Sequence, residues 1–425
     1  MTDSSTNTQK PASCQSDHDA QSLPMDAAWE RIRRELQPVR GIERVSTRDA
    51  LDRVIAEPVL SPVDVPGQDN AAMDGYALRG ANLAADRDVT LSCAATIRAG
   101  DALDGALPPN SCARIMTGAP IPEGADTVIM QEKVGVDGDR IQFPAGERAG
   151  QNIRPAGEDL RAGATVLHPG QRVGPAELGM LGSLGLVEVA VVRRIRVAFF
   201  STGDELRPAG STLGPGQIYD SNRYTLFGAL HRLGVEATDM GVVRDDPAAL
   251  EAAFRDAATF ADAIITSGGV SVGEADFVRE ILNRLGEVGF WKLAMRPGRP
   301  LAFGTVGDAR FFGLPGNPVS VAATWYQFVQ PALRRLMGED PEPPHAFRVA
   351  TAVALRKRPG RTEFQRGILY RDDQGELCVT TTGSQGSGML SSMNRANCFV
   401  VLPHDGGDVA AGDAVEVQPF HGVMP

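Results

Sequence analysis

Residues 263–277, AIITSGGVSVGEADF, constrain the fold of this chain more than any other stretch. They open with the apolar run Ala263-Ile264-Ile265, which reads as a buried strand. Thr266-Ser267-Gly268-Gly269 then ends the pattern, and the loop runs on through Ser271, Gly273, Glu274 and Asp276. From Phe277 onward, Val278, Ile281, Leu282 and Leu285 recur at helical spacing. The order is strand, glycine-rich loop, helix. Glycine lets a backbone turn tightly and approach a ligand closely, and free N–H groups at a helix start favour an anion. The carboxylates of Glu274 and Asp276 conflict with an anion unless a cation lies between them. A Mg²⁺ ion bridging phosphate to carboxylate resolves that conflict. The alternative is a plain βα turn with two solvated acids.

The surrounding residues, 194–338, repeat this alternation. Residues 195–200 read as a strand that ends in Ser201-Thr202-Gly203-Asp204-Glu205. Ser221 opens a helix carrying Leu226, Leu230 and Leu233. A strand over 238–243 ends in Arg244-Asp245-Asp246, and Pro247 opens the next helix, where its missing N–H costs nothing. Further strands are predicted over 289–294 and 311–314. The second of these ends in Pro315-Gly316-Asn317-Pro318 before a helix over 319–336. Alternating strands and helices imply a doubly wound parallel sheet, whose ligand crevice lies at the carboxyl ends of the strands. That rule gathers Glu205, Asp245, Ser267 to Asp276 and Pro315 to Pro318 at one rim.

The flanking regions read differently. Residues 1–23 are polar and expected to be disordered. Helices are predicted over 25–36, with Trp29, Ile32 and Leu36 on one face, and over 47–54, with Thr47 as candidate N-cap. Residues 60–79 form an irregular polar loop containing Asp64, Asp69, Asn70, Asp74 and Tyr76, and long polar loops are often functional. Short strands and turns between 80 and 150, including 113–118 and 127–131, suggest a small all-β domain. A short helix follows over 175–184. Pro341, Pro343 and Pro344 mark a linker, and strands over 347–355, 367–370, 377–381, 398–402 and 414–418 read as a small β-barrel or sandwich.

Composition narrows the function. The net charge of −11 and the absence of a Lys/Arg run argue against nucleic-acid binding. Five scattered cysteines without CxxC, and six histidines without HExxH, argue against a zinc ribbon, a disulfide framework or a histidine metal site. The N-terminus has no apolar core of a signal peptide, and no apolar run approaches the ~18 residues of a membrane span. A soluble, cytoplasmic protein is expected.

Three acids, Glu205, Asp245 and Asp276, each follow a predicted strand end. Carboxylates crowded at one rim repel unless a cation is present, so a divalent metal with oxygen ligands is their natural partner. Each alone reads better as a helix cap or a solvated loop acid; all three at one rim favour metal or phosphate chemistry. Lys292, Arg296 and Arg299 come from one short segment whose Pro297-Gly298 fixes an irregular backbone, and guanidinium suits oxyanions. Scattered solvated basics are the alternative. Acids and bases meeting at one rim is what a Mg²⁺–phosphate site needs. Asp74, Thr117 and Ser387 admit plain structural readings, and Trp291 reads as core.

The segments DNAAMDGYA (69–77), RIMTGAP (114–120), NIRPAGED (152–159), STGDEL (201–206), IYDSN (218–222), SGGVSVGEAD (267–276), FWKLAMRPGRP (290–300) and GLPGNPVS (313–320) together closely resemble the molybdopterin molybdenumtransferases, the bacterial MoeA proteins and the E domain of gephyrin. The resemblance runs from about residue 25 to the C-terminus. It implies insertion of molybdenum from molybdate into adenylylated molybdopterin, with Mg²⁺ required and AMP released. It also implies a four-part chain behind a 1–24 tail: an elongated N-terminal domain split between 25–62 and 150–190, an inserted β domain over 63–149, a doubly wound MogA-like domain over 191–340 and a C-terminal β-barrel over 341–425. A homodimer with a site between subunits follows from it, and the upstream adenylyltransferase and recipient apo-molybdoenzymes are implied partners.

Carried over by motif, Glu205 and Asp276 would hold Mg²⁺, with Asp245 a further essential carboxylate and Asp74 and Thr117 also catalytic. Lys292 and Arg296 would hold phosphate or molybdate, with Arg299, Arg154 and Ser387 as further oxyanion contacts. Ser267, Gly268, Gly269 and Ser271 would bind the nucleotide phosphates. Asp220, Ser221 and Asn222, with Pro315, Gly316, Asn317 and Pro318, would shape the adenylate and pterin pocket. One departure is that many relatives carry lysine where this chain has Arg296 and Arg299, which replaces a point charge by a planar fork. Two other readings share these features: a molybdopterin adenylyltransferase, against which the extra domains speak, and a gephyrin-like scaffold, for which no dedicated peptide groove is visible.

Overall fold

The computed structural model describes residues 22–101, 105–269 and 276–420, with only the backbone of Asp276 and Phe277. They form two compact units, one of residues 44–191 and one of residues 192–425 with the segment ahead of residue 44.

In the larger unit the first strand, Arg196–Thr202 (β1), buries Val197, Ala198, Phe199 and Phe200 completely. A strand covered on both faces carries an unbroken apolar run, and this one does. There follow Ser221–Leu233 (α1), Glu236–Val243 (β2), Pro247–Ala258 (α2), Ala263–Ser267 (β3), Asp276–Leu285 (α3), Gly286–Lys292 (β4), Pro300–Val306 (β5), Ala309–Leu314 (β6) and Pro318–Thr324 (α4). The sheet order is β2-β1-β3-β6-β5-β4. Its pairings are parallel except those of β5, which runs against both neighbours.

The doubly wound sheet is therefore as expected, with one addition. β5 was not foreseen, because Pro300 and Gly304 dilute its strand signal. Pro300 is tolerated as the strand's first residue. Gly304 is needed because a side chain there would run into the Glu287 carbonyl on β4.

Helices cover both faces. α2 and α3 bury Leu250, Phe254, Ala257, Val278, Ile281 and Leu282 against Ala198, Phe200, Ile264 and Phe311. α1 and α4 contact each other and the strands β1 and β6. The helix starts follow capping rules: Asp220 accepts from the Arg223 N–H at 3.2 Å and Asp246 from the Ala249 N–H at 2.9 Å. The single helix expected over 319–336 is instead α4, a π-helical turn over Trp325–Val329, and a helix over Gln330–Leu336. Pro331 explains the break, since it cannot donate the bond a regular helix requires there. The predicted strand 289–294 ends at Lys292, because Leu293 and Ala294 pair instead with Leu23.

The C-terminal strands are Phe347–Thr351 (β7), Thr362–Arg371 (β8), Leu377–Thr381 (β9), Cys398–Leu402 (β10) and Ala414–Pro419 (β11). Their order β8-β9-β7-β11-β10 closes through a β8–β10 pairing, so the fold is a five-stranded barrel. Met295 and Arg296 add in parallel to the edge of β8, opposite Thr362 and Glu363. A helix over Leu390–Arg395 was not anticipated.

Unit 44–191 is built on a six-stranded sheet ordered 127–130, 75–78, 111–115, 89–97, 140–143, 135–137. The helix expected over 47–54 does not form beyond a turn at Arg48–Ala50. The Thr47 hydroxyl donates to the Leu186 carbonyl at 2.5 Å instead of capping, and Val54 and Ile55 bridge to Arg172 and Val191. Strand pairing across the chain outweighs the weak local preference of this eight-residue stretch.

Phe254 sits edge-on between Phe200 and Phe311, at 5.3 and 5.5 Å between ring centroids. Phe254→Ala is expected to lower the unfolding free energy of this unit by about 3–5 kcal/mol, measured by chemical denaturation. A loss below about 1 kcal/mol would show that the α2 face does not carry the core.

Candidate functional site

The chain runs from β1 outward to β2 and returns to lay β3 on the opposite side of β1, so the topological switch point lies between β1 and β3. Side chains and loops at that point converge. The buried hydroxyls of Ser201 and Ser267 lie 2.9 Å apart at the strand ends. Gly268 and Gly269 follow with φ of +92° and +67°, in the left-handed region that favours glycine. A side chain at Gly268 would also meet the Thr202 carbonyl at 2.5 Å, and one at Gly269 the Thr202 hydroxyl at 2.8 Å. Two independent constraints therefore demand glycine here.

The Gly268 N–H donates to the Leu314 carbonyl at 3.1 Å, tying the loop to the end of β6. Gly316 lies against Gly268, and the Asn222 amide donates to the Gly316 carbonyl at 2.7 Å. The Val319 N–H donates to the Ser387 carbonyl at 3.1 Å, so the barrel loop 383–388 abuts the start of α4. Ser267, Gly268, Gly269, Asn222, Pro315 to Pro318 and Ser387 thus belong to one neighbourhood. Ser221 begins α1 beside it. Asp220 is buried and engaged as the cap of α1 and in an ion pair with Arg223, so its carboxylate serves the helix.

The acids divide. Glu205 is exposed in the loop after β1, and its carboxylate lies over Gly203, where a Cβ would come within 2.6 Å of it. No described residue forms an ion pair with it. Asp245 is half-buried at the end of β2. Asp276 is the first residue of α3, with its side chain outside the described residues, as are Ser271 and Glu274. Among the described residues no group of three His, Cys, Asp or Glu side chains could hold a metal.

The basic segment lies at the same end of the sheet, since Lys292 pairs with Pro300 at the start of β5, beyond the Ala302–Gly313 pair. The Arg299 carbonyl accepts from the Leu293 N–H at 2.6 Å, closing the segment into a loop. Gly298, φ +97°, lets that loop rest on Thr324 and Ser320 of α4. Arg296 reaches Glu363 of the barrel at 3.3 Å.

Here a cavity of about 300 Å³ opens, lined by Arg296, Pro297, Arg356, Glu363, Arg366 and Gln385 among others. Arg366 is fully buried. It donates to the Ser392 hydroxyl at 3.0 Å and to the carbonyls of Gly386 and Ser384 at 3.0 and 3.4 Å. Burial, and then the charge of Arg296, push its pKa down to about 10. The sequence reading did not single out Arg366. The one signal available was an arginine inside the otherwise apolar and amide-bearing strand TEFQRGILY.

In unit 44–191, Asp74 and Thr117 are 43 residues apart in sequence yet in direct contact. Asp74 Oδ1 accepts from both the N–H and the hydroxyl of Thr117, each at 2.7 Å. Those bonds, the backbone one first, hold the Asp74 carboxyl below its usual range. Arg154 pairs with Glu158 at 2.7 Å.

A doubly wound sheet with a glycine-lined crevice at its switch point is the architecture of an α/β protein that binds its ligand at the carboxyl ends of the strands. Residues 23–185 match the MoeA N-terminal region, domains I and II. Residues 198–335 match a probable molybdopterin binding domain, and 348–420 the MoeA C-terminal region, domain IV. The chain is 44% identical over 405 residues to a molybdopterin molybdenumtransferase of Haemophilus influenzae, covering 95% of this chain and all of that protein. It is 39% identical over 374 residues to molybdopterin molybdenumtransferase 2 of Mycobacterium tuberculosis, covering 86% of this chain and 91% of that one. The crystal structure of a molybdopterin biosynthesis moeA protein from Pyrococcus horikoshii superposes with a TM-score of 0.81 at 27% identity, covering 94% of this chain and all of that one. The chain belongs to the molybdopterin molybdenumtransferase family, the MoeA proteins, and is a transferase.

Thr117→Val should leave the backbone bond to Asp74 and remove the hydroxyl bond, so the Asp74 pKa is expected to rise part of the way toward its ordinary value. Carboxyl-carbon NMR titration reads this, and an unchanged pKa would show the hydroxyl bond to be absent in solution. Because the folded pKa is depressed, the contribution of Asp74 to stability is present above the unfolded pKa and lost as pH falls through the folded one. Gly268→Ala is expected to lower the melting temperature and to reduce the activity about tenfold or more, since a Cβ there must move the loop off the Thr202 carbonyl. Wild-type behaviour in both assays would mean that the left-handed turn is not required.

Proposed function

We propose that this protein inserts molybdenum from molybdate into adenylylated molybdopterin, with release of AMP and use of Mg²⁺. The observation that carries the proposal is a shared wall. The loop 383–388 abuts the start of α4 through the Ser387 carbonyl on one side and is held by Arg366 at the edge of the arginine-lined cavity on the other. That wall supports a reading in which a nucleotide-phosphate site and a small-oxyanion site are neighbours.

In this reading the backbone of Ser267, Gly268 and Gly269 receives the nucleotide phosphate, and Asn222 with Pro315 to Pro318 shapes the adenylate and pterin pocket. Lys292, Arg296 and Ser387 position molybdate, which is substrate. Arg296 supplies a planar fork already oriented by Glu363, a geometry suited to a tetrahedral oxyanion. Carboxylate oxygens suit Mg²⁺, and the exposed Glu205 carboxylate on Gly203 fits that role, with Asp276 as the second ligand. Mg²⁺ held there would neutralise charge developing on the phosphoanhydride. Asp245, and the hydrogen-bonded pair Asp74 and Thr117, complete the set of groups the reaction depends on, with Arg154 and Arg299 as further anion contacts. The working form is a homodimer.

The test incubates the full-length protein with adenylylated molybdopterin, molybdate and Mg²⁺, and follows AMP release beside formation of active cofactor. AMP is expected only when molybdate is present, and Asp276→Asn is expected to lower the rate at least a hundredfold, on the order of the loss seen when a group stabilising developing charge is removed. Binding of the nucleotide by the wild type without AMP release under any condition would sink the proposal.

A further inference from the structure

We propose that the Thr202 hydroxyl is a ligand-binding group of the switch-point crevice, donating to an anionic oxygen of the bound nucleoside phosphate. The inference rests on the nucleotide reading above and adds a residue to it. Thr202 is only 6% exposed, yet its hydroxyl has no hydrogen-bond partner among the described residues. Buried hydroxyls nearly always find one, and leaving the bond unmade is costly. Its neighbour Ser201 behaves as expected, pairing with Ser267.

The place of the orphan hydroxyl is informative. It lies 3.1 and 2.8 Å from where Cβ atoms on Gly268 and Gly269 would stand. It therefore faces the turn of the glycine loop and not the apolar interior of the sheet. A second buried oxygen is unpaired nearby. Asn222 is 8% exposed, its Nδ2 is spent on the Gly316 carbonyl, and its Oδ1 has no partner among the described residues. The amide orientation is fixed, because only the NH₂ can donate to that carbonyl. Gly316 in turn lies against Gly268.

Two oxygens without a partner among the described residues thus flank the Gly268–Gly316 contact, one able to donate and one only able to accept. The ligand that satisfies both carries an anionic oxygen and an O–H or N–H donor. A nucleoside monophosphate has both. A ligand that pairs both oxygens removes the cost of leaving two buried polar groups unbonded.

The test measures AMP binding in the presence of Mg²⁺ by calorimetry on the full-length protein, together with the melting temperature without ligand. Thr202→Val is expected to weaken AMP binding about tenfold or more. It should leave the ligand-free melting temperature unchanged or higher, because an unpaired buried hydroxyl has gone. Thr202→Ser, which keeps the hydroxyl, is expected to bind within a few-fold of wild type. Wild-type affinity in Thr202→Val would overturn the inference and leave the nucleotide reading standing. Weaker binding with a lower melting temperature, in Val and Ser variants alike, would make Thr202 a structural residue and overturn it too. Failure of the wild type to bind AMP would bring down the nucleotide reading and this inference with it.

Discussion

The close contact of Gly268 with Thr202 is the constraint on which the crevice depends. Two strand ends can approach this nearly only where one of them carries no side chain, and the left-handed φ of Gly268 and Gly269 imposes the same demand. Once that contact is made, the Gly268 N–H is in place to bind the Leu314 carbonyl, Gly316 comes to rest against Gly268, and Asn222 reaches the Gly316 carbonyl. Three loops from separate parts of the chain become one surface through backbone groups and one short, buried amide side chain, Asn222, so the surface is far less dependent on flexible side chains than a set of long arms would be.

The oxyanion side of the site is organised by a different force. Arg366 is buried among carbonyls and a serine hydroxyl, and no carboxylate within its bonding distance is among its described partners. A buried cation with neutral partners keeps an unneutralised positive field. Its depressed pKa of about 10 still leaves it charged at neutral pH. Arg296 carries one carboxylate, Glu363, against its own charge. The cavity between them is accordingly electropositive inside a chain whose net charge is −11. A global negative charge and a local positive pocket are compatible, since screening confines surface fields to about 10 Å.

Parts of this were legible in advance for identifiable reasons. β1 and β3 carry the apolar runs 197–200 and 263–265, α2 starts at Pro247 behind its cap Asp246, and α1 ends at Leu233 before Gly234, so local chemistry and final structure agree. β5 was hidden because its proline and glycine are read locally as breakers, whereas their justification lies in the neighbouring strand. The turn at residues 48–50 replaced a helix because Val54 and Ile55 found partners more than a hundred residues away. The π-helical turn ahead of Pro331 was foreshadowed by the proline, but which carbonyl would be released is a matter of geometry.

For the candidate site, the sequence by itself determined the chemistry available: the glycine loop, the acids after strand ends, the basic segment and the order of motifs that places the chain in its family. These are local properties, set by residue type and spacing. Only the tertiary structure decided which of those groups meet. It joined Asp74 to Thr117 across 43 residues, spent Asp220 on a helix start, set Arg366 and Arg296 on one cavity, and brought Ser387 from the barrel against the start of α4. It also left Thr202 and Asn222 with buried oxygens that have no partner among the described residues. The physical reason is that pairing is a property of positions in space. Strand register and loop closure fix it, and no residue type carries that information alone.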